Sequence, residues 1–243
     1  MNERKRADRL LVERGLFESR TKAQAAIAAG LVTADGARVE KPSDEIAVDA
    51  VVQASPEHPW VSRGGVKLAA ALDHFGFDPK GRVCLDVGAS TGGFTHVLVE
   101  RGAKRVYAVD VGRGQLHASL HGRPDIVSIE ETDIRAFTPA LLAESLDFVV
   151  ADVSFISLKL VLPAALGLTK SPAHLLALIK PQFEAGRAHV KKGIVRDPAI
   201  HQEVCDDISA FVSGLGWTVL GIIPSPITGG DGNREFFIGA RRD

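Results

Sequence analysis

VCLDVGASTGGFT, running from Val83 to Thr95, is the stretch on which the fold of this chain turns. Val83, Cys84, Leu85 and Val87 make a short apolar run around an acid, Asp86, and it passes into the small residues Gly88, Ala89, Ser90, Thr91, Gly92 and Gly93. An apolar pattern with helical spacing then starts at Phe94, Val97 and Leu98. This order predicts strand, glycine turn and helix, with the turn at the C-terminal end of a buried parallel strand. Glycine there lets a ligand approach the backbone and lets the helix pack closely on the strand. The next apolar run, Arg105 to Val111, carries Asp110, which lies 24 residues after Asp86. An acid near that offset is placed to hold a ribose hydroxyl pair. Together the two features predict a nucleoside cofactor.

The glycine spacing narrows the choice. A dinucleotide site needs G-x-G-x-x-G to hold a pyrophosphate, whereas this turn reads D-x-G-x-x-x-G-G. Phe94-Thr95 stands where a P-loop would need Lys-Ser/Thr. The pattern is similar to the first motif of class I S-adenosylmethionine (SAM) methyltransferases. That resemblance implies SAM as cofactor, held by Asp86, Gly88, Ala89, Ser90, Thr91, Gly92, Gly93, Phe94 and Asp110. Asp133, after the run Ile126 to Ile129, resembles the acid that reads the adenine amino group, and Asp152 lies where it could orient the SAM amino group.

Composition sets outer bounds. With 243 residues, 45% hydrophobic and 24% charged, the chain suits one moderate domain plus a small module. A net charge of −1 gives no support to nucleic-acid binding, so that case rests on local patches. Cys84 and Cys205 sit in apolar patterns without C-x-x-C spacing and read as reduced core residues of a cytoplasmic protein. MNERKRADRLL lacks an apolar signal core, and Phe148 to Leu168 is interrupted by Asp152, Lys159 and Pro163, so neither a secretory signal nor a membrane span is expected. The eight histidines and the carboxylates show no ligand spacing, and no metal is expected. Sequence barely constrains oligomeric state, with a monomer slightly favoured.

Residues 1–54 read as a basic helical module. A short helix ends near Gly15, Ser19 caps a second that stops at Gly30, Asp35-Gly36 marks a hairpin, and β residues run from Ile46 to Val52. The order D-R-L-L-x-x-R-G-L-x-x-S-R-x-x-A resembles the alpha-L RNA-binding module. Arg6, Arg9, Arg20 and Lys22 could then share one face across the two helices and meet phosphates. Residues 55–62 (SPEHPWVS) read as a linker, in which Trp60 could be a hydrophobic plug.

Residues 63–243 read as a doubly wound α/β domain with a seven-stranded mixed sheet. It opens with a helix whose apolar face is Leu68, Ala71, Leu72 and Phe75, with Lys67 in the first turn. Asp152, Lys180 and Glu235 each stand at the end of an apolar run, and strand C-termini are where open α/β sheets bind ligands. Lys67, Asp152, Lys180 and Glu235 resemble the catalytic tetrad of FtsJ-like ribose 2′-O-methyltransferases. With SRGG-x-K, IKPQFE and KKGIVRDP, the whole chain looks like the TlyA family of bacterial rRNA methyltransferases, also called hemolysins. The resemblance implies methyl transfer to a ribose 2′-hydroxyl of rRNA, on cytidine, with ribosomal subunits as partners.

The chemistry needs such a set of residues. A ribose hydroxyl is a poor nucleophile at neutral pH, so its proton must be removed or the developing oxyanion stabilised. Lys180 is the central candidate, as base or as electrostatic clamp, with Lys67 and Glu235 orienting the ribose and holding Lys180. The stretch Gln182 to Arg196, with Arg187, Lys191, Lys192 and Arg196, reads either as a mobile basic loop that closes on substrate backbone or, equally on these residues alone, as a disordered, solvated loop. A pore-forming hemolysin and a catalytically silent RNA-binding protein are the alternatives. The missing membrane signals oppose the first, and the full tetrad opposes the second.

Overall fold

The computed structural model describes residues 3–229 and 232–243, and the chain divides into two units, Met1–Pro59 and Trp60–Asp243. The first unit is built from β1 (Arg4–Arg6), α1 (Ala7–Glu13), α2 (Arg20–Ala28), β2 (Val32–Ala34), β3 (Ala37–Arg38), β4 (Glu45–Ala47) and β5 (Val52–Ala54). Ser19 caps α2 by accepting from the Lys22 amide, a contact worth about 1 kcal/mol. Asp35 and Gly36 take positive φ of 50° and 79° and turn β2 into β3. Ala7, Leu10, Leu11, Phe17, Ala23, Ile27 and Val32 close the small core.

One expectation for this unit needs correcting, and one strand went unread. The single β run at Ile46 to Val52 is two strands in different sheets, since β4 pairs with β1 and β5 with β2. Strand β1 (Arg-Lys-Arg) carries no apolar alternation to announce it; it exists because β4 is there to pair with.

In the second unit, α3 (Gly64–Phe75) precedes β6 (Val83–Val87), α4 (Gly93–Glu100), β7 (Arg105–Val109), β8 (Ile126–Ile129) and β9 (Leu146–Ala151). Next come α5 (Leu158–Gly167), β10 (Thr169–Ile179), the short α6 (Pro181–Glu184), α7 (Pro198–Gly214), β11 (Thr218–Pro224) and β12 (Phe236–Arg242). They form one seven-stranded sheet in the order β11-β12-β10-β9-β6-β7-β8. Strands β6 to β10 pair in parallel, and β12 runs antiparallel to both of its neighbours.

Alternation along the buried strands makes the sheet two-faced. Cys84, Val106, Phe148, Leu176 and Phe237 meet Leu68, Phe94 and Leu98 of α3 and α4. Leu85, Tyr107, Val149, Leu175 and Ile238 meet Leu162, Ala165, Ile208 and Val212 of α5 and α7. Cys84 and Cys205 are buried and free. Trp60 belongs to this unit too: its ring stands edge-on to His96 at 5.5 Å, and a Cβ on Gly65 would fall 2.4 Å from it. The chain leaves β6 toward β7 and β8 on one side and returns to β9 on the other, so the crevice above β6 and β9 is the topological switch point. Among the described residues, no helix is long and apolar enough to cross a membrane.

Candidate active site

The glycine turn after β6 is shaped by its neighbours. Gly88 has φ +83°, and a Cβ there would lie 2.5 Å from the Asp152 carbonyl oxygen. Glycine is therefore required where the ends of β6 and β9 come together. Ser90, at φ 48°, turns its amide onto Asp110 Oδ2 at 2.8 Å, while the Gly112 amide meets Oδ1 at 2.7 Å. Two backbone donors thus hold the Asp110 carboxylate at the tip of β7.

A cavity of about 350 Å³ opens beside this turn, lined by Gly88, Ser90, Val111, Ile134, Val153, Phe155 and Ile156, with Asp110, Asp133 and Asp152 among its walls. Among the described residues, no lysine or arginine lines it. Apolar walls with three acids suit a nucleoside that carries positive charge and are ill suited to a pyrophosphate. The donor set fits SAM.

Asp86 and Gly92, expected at the cofactor, line neither cavity, while Asp133 lines the larger one with its carboxylate already engaged. Asp86 is fully buried beneath the turn and lines neither this cavity nor the smaller one beside α3. Its Oδ2 accepts from the Thr95 hydroxyl at 2.7 Å in the first turn of α4, and burial pushes its carboxyl up to about 7. Gly92 faces away, against Leu116 and Leu120. Asp133 lines the cavity, but its carboxylate is engaged by Arg135, whose guanidinium holds it below the usual carboxylate range. Ala89, Thr91, Gly93 and Phe94 line the second cavity, of about 240 Å³, with Arg63, Lys67, Asp152 and Lys180.

The tetrad resolves into two ion pairs. Lys67 Nζ lies 2.6 Å from Glu235 Oε2, with the side chains 9% and 2% exposed. Lys180 Nζ lies 2.6 Å from Asp152 Oδ1 and donates to Ser154 Oγ at 2.9 Å. Lys180 is thus held by Asp152 and Ser154, whereas the contact of Lys67 is with Glu235, a correction to the expectation that the second pair holds Lys180. Glu235 also differs in its route to the site. It immediately precedes β12, and because β12 runs antiparallel, its start reaches the edge where the parallel strands end. Gly229 lets it in, since a Cβ there would lie 2.0 Å from Glu235 Oε1.

A third cavity, of about 340 Å³, joins Lys180 and Glu235 to Ser154, Phe155, Phe183 and Asn233. Ser154 lines all three cavities, and sequence reasoning missed it along with Phe155. Phe155 is 90% exposed at φ +64° and packs against Phe183 at 5.0 Å. The signal available was A-D-V-S-F itself, a polar and an aromatic residue immediately past a buried strand. Glu184 anchors this loop, accepting from Ser157 Oγ at 2.5 Å and the Leu158 amide at 2.8 Å.

The expected RNA-binding residues divide. Arg6 ends β1 rather than lying on a helix; it and Arg20 both bond the buried Asp8, at 3.1 and 2.7 Å, and Gln24 adds a third donor. These donors, Arg6 first, hold the Asp8 carboxyl far below the usual range. Lys22 pairs with Glu18 at 2.5 Å, and Arg9 is exposed on α1. In the Gln182 to Arg196 stretch, Arg187, Lys191 and Lys192 are exposed, while buried Val195 donates its amide to Asn233 Oδ1 at 3.3 Å. Among the described residues, no His/Cys/Asp/Glu group could hold a metal ion.

Comparison with known proteins identifies the family. Residues 60–242 match the FtsJ-like methyltransferase family, and residues 5–52 match the S4 domain. The chain is 45% identical over 246 residues to the 16S/23S rRNA (cytidine-2′-O)-methyltransferase TlyA of Mycobacterium tuberculosis, covering 99% of this chain and 91% of that protein. A solved Streptococcus thermophilus structure described under the hemolysin name superposes with TM-score 0.77 at 40% identity, over 100% of this chain and 90% of that one. A SAM-dependent methyltransferase from Aquifex aeolicus shares the fold, with TM-score 0.52 at 16% identity over 75% of this chain and 94% of that one. The chain belongs to the FtsJ-like methyltransferase family, in the TlyA branch that joins an S4 domain to the methyltransferase domain.

Proposed function

We propose that the chain transfers a methyl group from SAM to the 2′-hydroxyl of a cytidine in ribosomal RNA. The observation that carries the reading is the pair of lysine–carboxylate contacts, Lys180–Asp152 and Lys67–Glu235, at the strand edge beside the glycine turn. When bound, SAM supplies an electrophilic methyl on a sulfonium. Asp110 would hold its ribose, Asp152 its amino group, and the turn from Gly88 to Phe94 its backbone contacts. Asp133 would meet the adenine only by sharing its carboxylate with Arg135.

Lys180 lines the two cavities that flank the cofactor crevice. Its ammonium would stabilise the oxyanion that develops on a ribose hydroxyl there, with the hydroxyl proton passing to water. Of the buried Lys67–Glu235 pair, Lys67 lines one of these cavities and Glu235 the other, and Phe155 with Phe183 offers aromatic faces to a base. Arg9, Arg187, Lys191 and Lys192 are the exposed cations available to phosphates; Arg6 and Arg20 would reach RNA from their places on Asp8, and Lys22 from Glu18.

The test supplies methyl-labelled SAM and unmodified small and large ribosomal subunits to the wild type and to Lys180→Ala. Label recovered as 2′-O-methylcytidine with the wild type, and reduced at least a hundredfold in the variant, is expected. Undiminished transfer by Lys180→Ala, or label in a base, would overturn the reading.

A further inference from the structure

We propose that Ser154 is a positioning residue that sets the direction of the Lys180 ammonium; this rests on the reading of Lys180 given above. An ammonium on four rotatable bonds carries charge without direction unless its N–H groups are bonded. Asp152 supplies opposite charge at 2.6 Å, but among the described residues its buried Oδ1 takes no aligned hydrogen bond. Ser154 Oγ does take one, at 2.9 Å. The serine therefore determines where the remaining N–H donors point, and both lysine and serine line the cavity that also holds Glu235.

The loop that carries Ser154 is itself anchored. Three and four residues on, Ser157 and Leu158 are tied to Glu184, which follows Lys180 by one short helix. The loop carrying the hydroxyl and the segment carrying the ammonium are thus tied to each other close to both residues. A second hydroxyl property follows: accepting from Lys180 leaves the serine O–H free to donate into the cleft.

Ser154 is exposed, so Ser154→Ala removes the hydroxyl without opening the core. In the ribosomal-subunit assay, kcat is expected to fall about tenfold, the loss expected for one hydrogen bond to a charged group. KM for subunits and the SAM dissociation constant by calorimetry should stay within twofold. Ser154→Thr, which keeps the hydroxyl, should recover kcat to within about threefold.

An activity-independent reading comes from 15N-lysine NMR of the cofactor-free protein, with the Lys180 ammonium signal identified by its loss in Lys180→Arg. That signal should persist in the wild type and Ser154→Thr and broaden through proton exchange in Ser154→Ala. Unchanged kcat or an unchanged ammonium signal in Ser154→Ala would overturn the proposal, as would a threonine variant as impaired as the alanine one. Full activity in Lys180→Ala would remove the catalytic role of Lys180 instead, while the NMR signal would still report whether Ser154 orients it.

Discussion

Single residues in this protein differ sharply in what their charge does. Asp86 is wholly buried, and its carboxyl stands at about 7 against 3.8 for the free group, chiefly through burial. Raised above its unfolded value, it contributes stability that is complete below about pH 4 and lost as pH rises through about 7. Asp86→Asn should therefore flatten the melting temperature between pH 5 and pH 8 and raise it at pH 8, by about 2–4 °C for each kcal/mol relieved. Calorimetry at the two pH values checks this. Asp8 has the opposite sign: its pKa is depressed, so its contribution is present above the ordinary carboxylate range and fades as pH falls. Lys67 and Glu235 form the other costly buried set. Truncating one partner leaves an unpaired buried charge, so Glu235→Ala should cost about 3–5 kcal/mol in urea unfolding, and Lys67→Met with Glu235→Leu should recover most of it.

At the scale of elements, Glu184 ties α6 to the loop that starts α5. Burial raises its carboxyl above the usual range, against the two donors that favour ionisation. Glu184→Gln keeps an acceptor for one of them only. The variant is expected to lose about 1–2 kcal/mol and to speed hydrogen exchange at the Leu158 amide at least tenfold while the β6 amides remain protected. Equal acceleration in both places would mean global loosening and would rule out a local anchor. Gly88 is the corresponding element-level constraint on the other side of the crevice. Gly88→Ala must push the Asp152 carbonyl away from its 2.5 Å position and adopt a disfavoured φ, so SAM affinity by calorimetry should fall at least tenfold.

For the whole molecule, the prediction concerns RNA affinity. Net charge is −1, so binding to ribosomal subunits must come from local cations rather than from an overall field. Arg9→Ala should weaken subunit binding and reduce the slope of log K against log salt by about one. Asp8→Asn should act differently: it releases Arg6 and Arg20 from their common anchor and destabilises the first unit more than it changes the salt slope. Filter binding across a salt series, with thermal melting of the same variants, separates the two effects.

The parallel-sheet domain, its glycine turn and the acids after β7 and β8 were legible because buried strands and tight turns write themselves locally, as apolar runs, glycines and strand-end acids. The order of Lys67, Asp152, Lys180 and Glu235 was legible as a set only through its resemblance to the FtsJ-like tetrad. Pairing was not. Whether Glu235 meets Lys67 or Lys180 depends on β12 running antiparallel beside β10, and whether Asp86 faces a ligand or the core depends on how α4 sits over β6. Arg6 and Arg20 converge on Asp8 only because β1 and two helices bring them there. Ser154 becomes important only because a segment some 26 residues further along the chain places Lys180 beside it. Local patterning thus determined which elements form and where the chemistry collects, while the tertiary structure decided which charges touch, since contacts between distant residues are made by packing and leave no period in the sequence.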